Sequence, residues 1–293
     1  FALIGVAGYV AKKHLEAINS INGELIACCD LNDSVGIIDS FFPKTKYFNS
    51  IKKFEKYFIK YRKKIGKIDY FVICTPNHLH NEHIELGLRN KINVICEKPI
   101  ITNTSQIKNI LELEKKFNKN VYCILQLRQH ENVNLIRNYI KNTNFITCSL
   151  EYITPRGDWY DLSWKGNEKL SGGILFNIGV HLFDFLIYVF GDYNKFIVKK
   201  INNRNVNGKI FFSNAEVKWK LSLDPKTKSN MIGKREIIIN NKKYDLNEGF
   251  HSSHSNCYEA ILKNNKIFLA KNSFKSIYFI NKMKKEISKS NKA

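Results

Sequence analysis

No run of about 18 consecutive apolar residues occurs in the chain, so a single membrane-spanning helix is not expected. No basic leader or small-residue cleavage site precedes "FALIGV", so a secretory signal is not expected either, and the expected location is the cytoplasm. The seven cysteines are odd in number and include no C-x-x-C pair. Cys28, Cys74, Cys96 and Cys148 fall inside apolar runs, as reduced core residues do, so neither a disulfide framework nor a metal site is expected. Acidic residues are few, 26 against 47 basic ones, for a formal net charge of +21. Arginine is scarce, at 62, 89, 128, 137, 156, 204 and 235 alone, and the lysines are spread along the chain. Nucleic-acid sites favour clustered basic residues and the bidentate contacts of arginine, so no nucleic-acid partner is expected. The charge reads as a solvated basic surface that attracts anionic substrates. There are no internal repeats and no low-complexity linker.

What is present is an ordinary globular balance over 293 residues, 44% hydrophobic and 25% charged, long enough for two domains. Short, almost wholly apolar runs occupy Phe1–Val6, Leu25–Asp30, Tyr70–Thr75, Asn93–Glu97 and Val121–Leu125. Helical patterns at Ala11–Ile21, Ser50–Lys64, Asn81–Asn90 and Thr104–Asn118 separate them. Apolar strands alternating with helices predict a parallel sheet buried on both faces, a Rossmann-type α/β domain over residues 1–122. Beyond it the strands lengthen and alternate. They are expected at Phe145–Thr154, Lys195–Asn203, Gly208–Asn214, Glu216–Asp224, Glu236–Asn240 and Lys243–Asp245, with a hairpin turn at Asn240-Asn241. Helices are expected at Asn132–Asn142, at Gly179–Phe190 and from Ser255 to Lys289, with a frayed tail. The second domain, residues 123–293, is thus α+β on a large, mostly antiparallel sheet. One face of that sheet calls for a covering partner, so a homo-oligomer is expected.

Chemistry gathers where strands end. The first strand runs into Gly5-Val6-Ala7-Gly8-Tyr9-Val10-Ala11, a glycine turn leading into a helix. Such a turn lets backbone approach a pyrophosphate, and the helix N-terminus offers free N–H groups. The second strand ends in Asp30, at the spacing from which a carboxylate hydrogen-bonds a ribose diol. A carboxylate there repels a 2′-phosphate, so the dinucleotide is expected to be NAD rather than NADP. Thr75, Pro76, Asn77 and His80 follow the third run, and Glu97-Lys98-Pro99 closes the fourth, both on the edge where doubly wound folds bind ligands. A lysine there is suited to proton transfer. In "GGILFNIGVHLFDF", Asn177 and His181 lie four apart, and Asp184 is placed either to orient the His181 imidazole or to cap a turn.

These elements, in order, resemble the Gfo/Idh/MocA oxidoreductases: the glycine turn ending "AKKH", then "TPNHLH", "EKP" and "GGILFNIGVHLFD". Further strings, "DLNDSVGIIDS", "ILQLR", "YITPRGDWY", "SWKG" and "NEGFHSSHSNCYEAIL", resemble one branch of that family, the bacterial UDP-N-acetyl-2-amino-2-deoxyglucuronate 3-dehydrogenases of surface-polysaccharide synthesis. The resemblance implies NAD-dependent oxidation of a sugar C3 hydroxyl, with Lys98 and His181 at the substrate. Asn177 stands where many relatives have Asp, which removes one candidate base. Gln126, Arg128, Arg156, Trp159 and Tyr160 are implied to meet an anionic UDP-sugar, and relatives pair through the second sheet as dimers or tetramers. The alternatives are a free sugar or inositol dehydrogenase and a nonenzymatic NAD-binding regulator.

Overall fold

The computed structural model describes residues 1–64, 66–225, 232–247 and 253–290, so residues 248–252 of the "NEGFHSSHSNCYEAIL" string lie outside the described residues. Two compact units form. The first comprises Phe1–Ile124 and His254–Ser273, the second Leu125–Ser253 and Phe274–Ala293.

In the first unit the order is β1 (Ala2–Ile4), α1 (Ala11–Ser20), β2 (Ala27–Cys29), β3 (Lys46–Phe48), α2 (Ile51–Lys64), β4 (Tyr70–Ile73), α3 (His80–Arg89), β5 (Asn93–Cys96), α4 (Ile107–Phe117) and β6 (Val121–Cys123). The strands form one sheet in the order β3-β2-β1-β4-β5-β6, every pair parallel. β1, β2 and β6 are buried throughout, as expected of strands covered on both faces. The helices bury one side each, Leu15 and Ile18 on α1 and Ile107, Ile110 and Leu113 on α4. Asn103 caps the short helical turn that leads into α4: its side chain accepts from the Ser105 N–H at 3.0 Å.

The second unit holds α5 (Glu131–Lys141), β7 (Ile146–Ile153), three single helical turns α6 (Trp159–Leu162), α7 (Glu168–Ser171) and α8 (Ile174–Asn177), then α9 (Gly179–Phe190). Strands β8 (Tyr193–Asn202), β9 (Asn205–Phe212), β10 (Ala215–Ser222), β11 (Lys234–Ile239) and β12 (Lys242–Asp245) follow. Their sheet order is β12-β11-β7-β10-β9-β8, antiparallel except where β7 runs parallel to β10. The β11–β12 turn places Asn240 and Asn241 at φ 44° and 69°, the left-handed region that asparagine tolerates. α9 is apolar nearly all round and mostly buried, and no single helix among the described residues is long and apolar enough to cross a membrane.

The chain then leaves this unit. α10 (Ser253–Leu262) and the turns up to Ser273 pack into the first unit, where Cys257, Tyr258, Ile261 and Phe268 join the core around Leu15, Val72 and Tyr122. α11 (Phe274–Ser290) returns to the second. The structure therefore differs from a contiguous second domain over 123–293, and from one helical stretch over 255–289. The helix of the tail persists to Ser290.

Candidate active site

Gly5 has a φ of 87°, and a Cβ on it would lie 2.6 Å from the Cys74 carbonyl carbon. One on Gly8 would lie 2.9 Å from the carbonyl oxygens of both Cys74 and Gly5. Bare backbone is therefore what lets the turn nest against the end of β4. The Gly8 N–H closes it on the Gly5 carbonyl at 3.0 Å. α1 then begins with no side-chain cap at Val10, leaving its amino end suited to an anion. Asp30 is bound onto the same turn: Oδ2 accepts from the Ala7 N–H and Oδ1 from the Asn32 N–H, each at 2.9 Å. A cradle that any side chain would fill, an uncapped helix start and an adjoining carboxylate together fit a dinucleotide. Tyr9, at the turn's outer edge, is exposed.

After β4, Pro76 starts a helical turn in which Asn77 is buried, and α3 follows with His80 and His83 on its inner side. Burial drives the His83 imidazole down to about 4, with the charges of His80 and His78 adding to the fall. Its Nδ1 lies 2.9 Å from the Thr75 Oγ1. The folded chain therefore prefers neutral His83. Its stabilisation is complete above the unfolded value of 6.5 and is lost as pH falls from there towards about 4. On the order of 3 kcal/mol is at stake by the linkage relation. Urea titrations across this window are expected to show stability falling with acid, and a smaller fall in His83→Gln.

Glu97, at the end of β5, is buried with its carboxylate shared. Oε1 accepts from His14 Nε2 at 2.9 Å and from His254 Nε2 at 3.1 Å, while Oε2 accepts from the Lys98 N–H at 3.2 Å. His14 Nδ1 lies 2.7 Å from the Tyr258 hydroxyl. Burial pushes the Glu97 carboxyl up, but the bonds and charges of the two histidines outweigh it and hold the carboxyl well below its usual range. Lys98 follows this anchored carboxylate and precedes Pro99, whose carbonyl oxygen is itself bound by His80 Nδ1 at 2.7 Å. His14, His254 and Tyr258 carry no role in the reading of the sequence. A lone histidine on an apolar helix face gives no sign of its partner.

In the second unit, Gly172 and Gly173 take φ of 84° and 77° between α7 and α8. The helix breaks at Ile178, so Asn177 ends α8 and His181 lies in the first turn of α9 rather than on one continuous face. The Asn177 side chain donates to the Tyr160 hydroxyl at 2.7 Å. His181 stacks on Tyr152 with ring planes 16° apart. Asp184 does not orient His181. It takes Arg128 in two bonds, Nε to Oδ2 at 2.8 Å and Nη2 to Oδ1 at 2.7 Å, and accepts from Ser276 at 2.8 Å. Arg128, expected at the substrate, thus forms a buried ion pair, while Gln126 is buried two residues before it in the same short helix. Arg156 donates to the Pro155 carbonyl at 2.9 Å, and Trp159 is half-exposed with the Lys165 ammonium 5.6 Å above its ring. A cavity of about 580 Å³ opens beside Tyr160, lined also by Lys165, Lys200, Arg204, Lys284 and Glu168. Glu168 answers two of these cations, at 3.7 Å to Lys200 and 2.8 Å to Lys284.

Residues 1–124 match the Gfo/Idh/MocA oxidoreductase model for the NAD-binding Rossmann fold, and residues 133–210 match that for the C-terminal alpha/beta domain. The chain belongs to the Gfo/Idh/MocA oxidoreductase family. Residues 1–124, the larger part of its first unit, are that family's NAD-binding domain. The WlbA (WbpB) dehydrogenase from Thermus thermophilus, solved in complex with NAD and UDP-GlcNAcA, is 33% identical with a TM-score of 0.90, over 96% of this chain and 92% of that one. Solved with NAD and alpha-ketoglutarate, it aligns at 34% identity and a TM-score of 0.89 over 94% and 92%. The glucose-6-phosphate 3-dehydrogenase of Bacillus subtilis is 25% identical over 214 residues, 69% of this chain and 57% of the relative. The D-glucoside 3-dehydrogenase of Escherichia coli is 27% identical over 132 residues, 43% of this chain and 36% of the relative. The chain spans between about a third and just over half the length of these two curated relatives.

Proposed function

We propose that the protein is an NAD-dependent sugar-nucleotide dehydrogenase. In this reading it oxidises the C3 hydroxyl of a UDP-N-acetylglucosaminuronate-type sugar to the 3-keto sugar, for amino-sugar synthesis in a surface polysaccharide. One observation carries the reading: identity of a third, sustained over 96% of the chain, to a dehydrogenase held with NAD and UDP-GlcNAcA. The names of two curated relatives, both 3-dehydrogenases of glucose derivatives, support the position of attack.

Bound NAD supplies the hydride acceptor. The chain's own part begins with the backbone of Gly5, Gly8 and Val10, which receives the pyrophosphate, and Asp30, which accepts from the ribose diol. Lys98 or His181 takes the proton of the C3 hydroxyl, and a lysine ammonium stabilises the developing alkoxide. Asn177 cannot act as a base, and its amide instead holds the Tyr160 hydroxyl. Arg156, Trp159, Tyr160 and Gln126 remain as substrate contacts, whereas the guanidinium of Arg128 is assigned to Asp184. Ile197 and Ile201, exposed on β8, support self-association.

The test is NADH formation, followed by its near-ultraviolet absorbance, with UDP-N-acetylglucosaminuronate, UDP-N-acetylglucosamine, glucose 6-phosphate and myo-inositol. Preference for the first supports the proposal, and equal use of myo-inositol overturns the sugar-nucleotide claim. That second reading has one observation in its favour, 23% identity over 131 residues to the myo-inositol 2-dehydrogenase of Thermotoga maritima. In the same assay Asp30→Ala is expected to raise the KM for NAD on the order of tenfold, the scale of one charge-assisted hydrogen bond, and to narrow the gap to NADP. A wild-type enzyme that prefers NADP contradicts the role given to Asp30.

A further inference from the structure

His80 is fully buried, and both of its ring nitrogens meet backbone carbonyl oxygens: Nδ1 lies 2.7 Å from that of Pro99 and Nε2 2.9 Å from that of Thr75. A carbonyl oxygen only accepts hydrogen bonds. A neutral imidazole has a single N–H, so it satisfies one carbonyl and turns a lone pair on the other. An imidazolium donates to both.

We propose that His80 is a buried imidazolium that positions the Lys98–Pro99 segment and, as a fixed positive charge, favours the neutral, proton-accepting form of the Lys98 amine. The inference rests on the reading of Lys98 as an acid–base group. Like charges brought together release a proton more readily than either does alone, which is how a lysine is made basic enough to act near neutral pH.

The ionisable groups facing His80 are Glu97 and Lys98 from the end of β5 and His83 from α3, with His78 beside His83. Burial, the first of the influences on His80, pulls its pKa below the ordinary imidazole value on balance, and Lys98 adds to that. The start of α3, which His80 occupies, also disfavours a cation. The bonds to Pro99 and Thr75 and the Glu97 carboxylate act in the opposite direction. Against that net fall stands the contact geometry. Two contacts of 2.7 and 2.9 Å to obligate acceptors leave a neutral ring with a buried lone-pair clash, and the anionic Glu97, held by His14 and His254, supplies the countercharge.

Imidazole proton–nitrogen NMR on the full chain, labelled at histidine, tests the charge directly. At pH 8, above the ordinary range of histidine, one ring is expected to keep protons on both nitrogens. Loss of that signal in His80→Gln assigns it, and should the variant not fold, through-space contact with Thr75 assigns it in the wild type. A neutral His80 tautomer at pH 8 overturns the proposal. Kinetics test the consequence. The acid limb of kcat/KM for UDP-N-acetylglucosaminuronate is expected to move to higher pH in His80→Gln, with a loss on the order of tenfold at neutral pH that disappears in alkaline buffer. Loss of equal size at every pH means that His80 is only structural, and the proposal fails. Absence of turnover by wild type on any of the substrates named above defeats the functional reading instead, and the NMR spectrum still decides the charge on His80.

Discussion

Lys98→Ala is expected to lower kcat on the order of 10²-fold or more, and His181→Ala to do the same, while the KM for NAD changes little in both. Lys98 lies on the strand edge where doubly wound folds bind ligands, fixed from behind by the Glu97 carboxylate and from ahead by the bond between His80 and Pro99. His181 is nine-tenths buried and held flat against Tyr152. The two variants are to be separated by small amines in the buffer. If Lys98 takes the hydroxyl proton, methylamine restores part of the turnover of Lys98→Ala and none of that of His181→Ala. The reverse pattern with imidazole gives the proton to His181. Near-normal turnover in both variants removes them from the mechanism.

Asp184→Ala is expected to destabilise the fold by about 3–5 kcal/mol, because it leaves the Arg128 guanidinium buried without its anion. Both side chains are 3% exposed and joined by two bonds, with Ser276 on the same carboxylate and Tyr188 5.3 Å below the guanidinium. Arg128→Met combined with Asp184→Leu is expected to recover much of the loss, since neither partner then remains as a lone buried charge. Urea midpoints at constant m-value measure both effects. A loss in Asp184→Ala under about 1 kcal/mol, together with a raised KM for substrate in Arg128→Met, returns Arg128 to the substrate site.

The parallel sheet is legible because all its strands but β3 are apolar and nearly wholly buried, so β1, β2, β4, β5 and, at one edge, β6 stand out as runs between helical patterns. β3 is not legible: three residues, two of them exposed, at the sheet's edge give neither a run nor an alternation. The glycine turn and Asp30 announce themselves by spacing, and the structure joins them through Ala7. Polar pairs distant in sequence carry no such signal. Glu97 meets His14 and His254 across 83 and 157 positions, and Asp184 takes a partner 56 positions away while His181 lies three residues from it in sequence. The helical pattern of α10 is visible too, but amphipathicity shows that a helix packs and not upon which sheet.

The return of His254–Ser273 to the first unit sets an order on biosynthesis. When residues 1–124 have left a ribosome and His254–Ser273 have not, the glycine turn and its strands exist as sequence, yet the pocket for Tyr258 stands open to water and Glu97 lacks one of its two imidazole donors. The dinucleotide-binding unit is completed only once His254–Ser273 have followed, starting 130 positions after Ile124. Chains that terminate early, before His254, therefore leave an unsealed core as a mark for proteolysis, not a working half-enzyme.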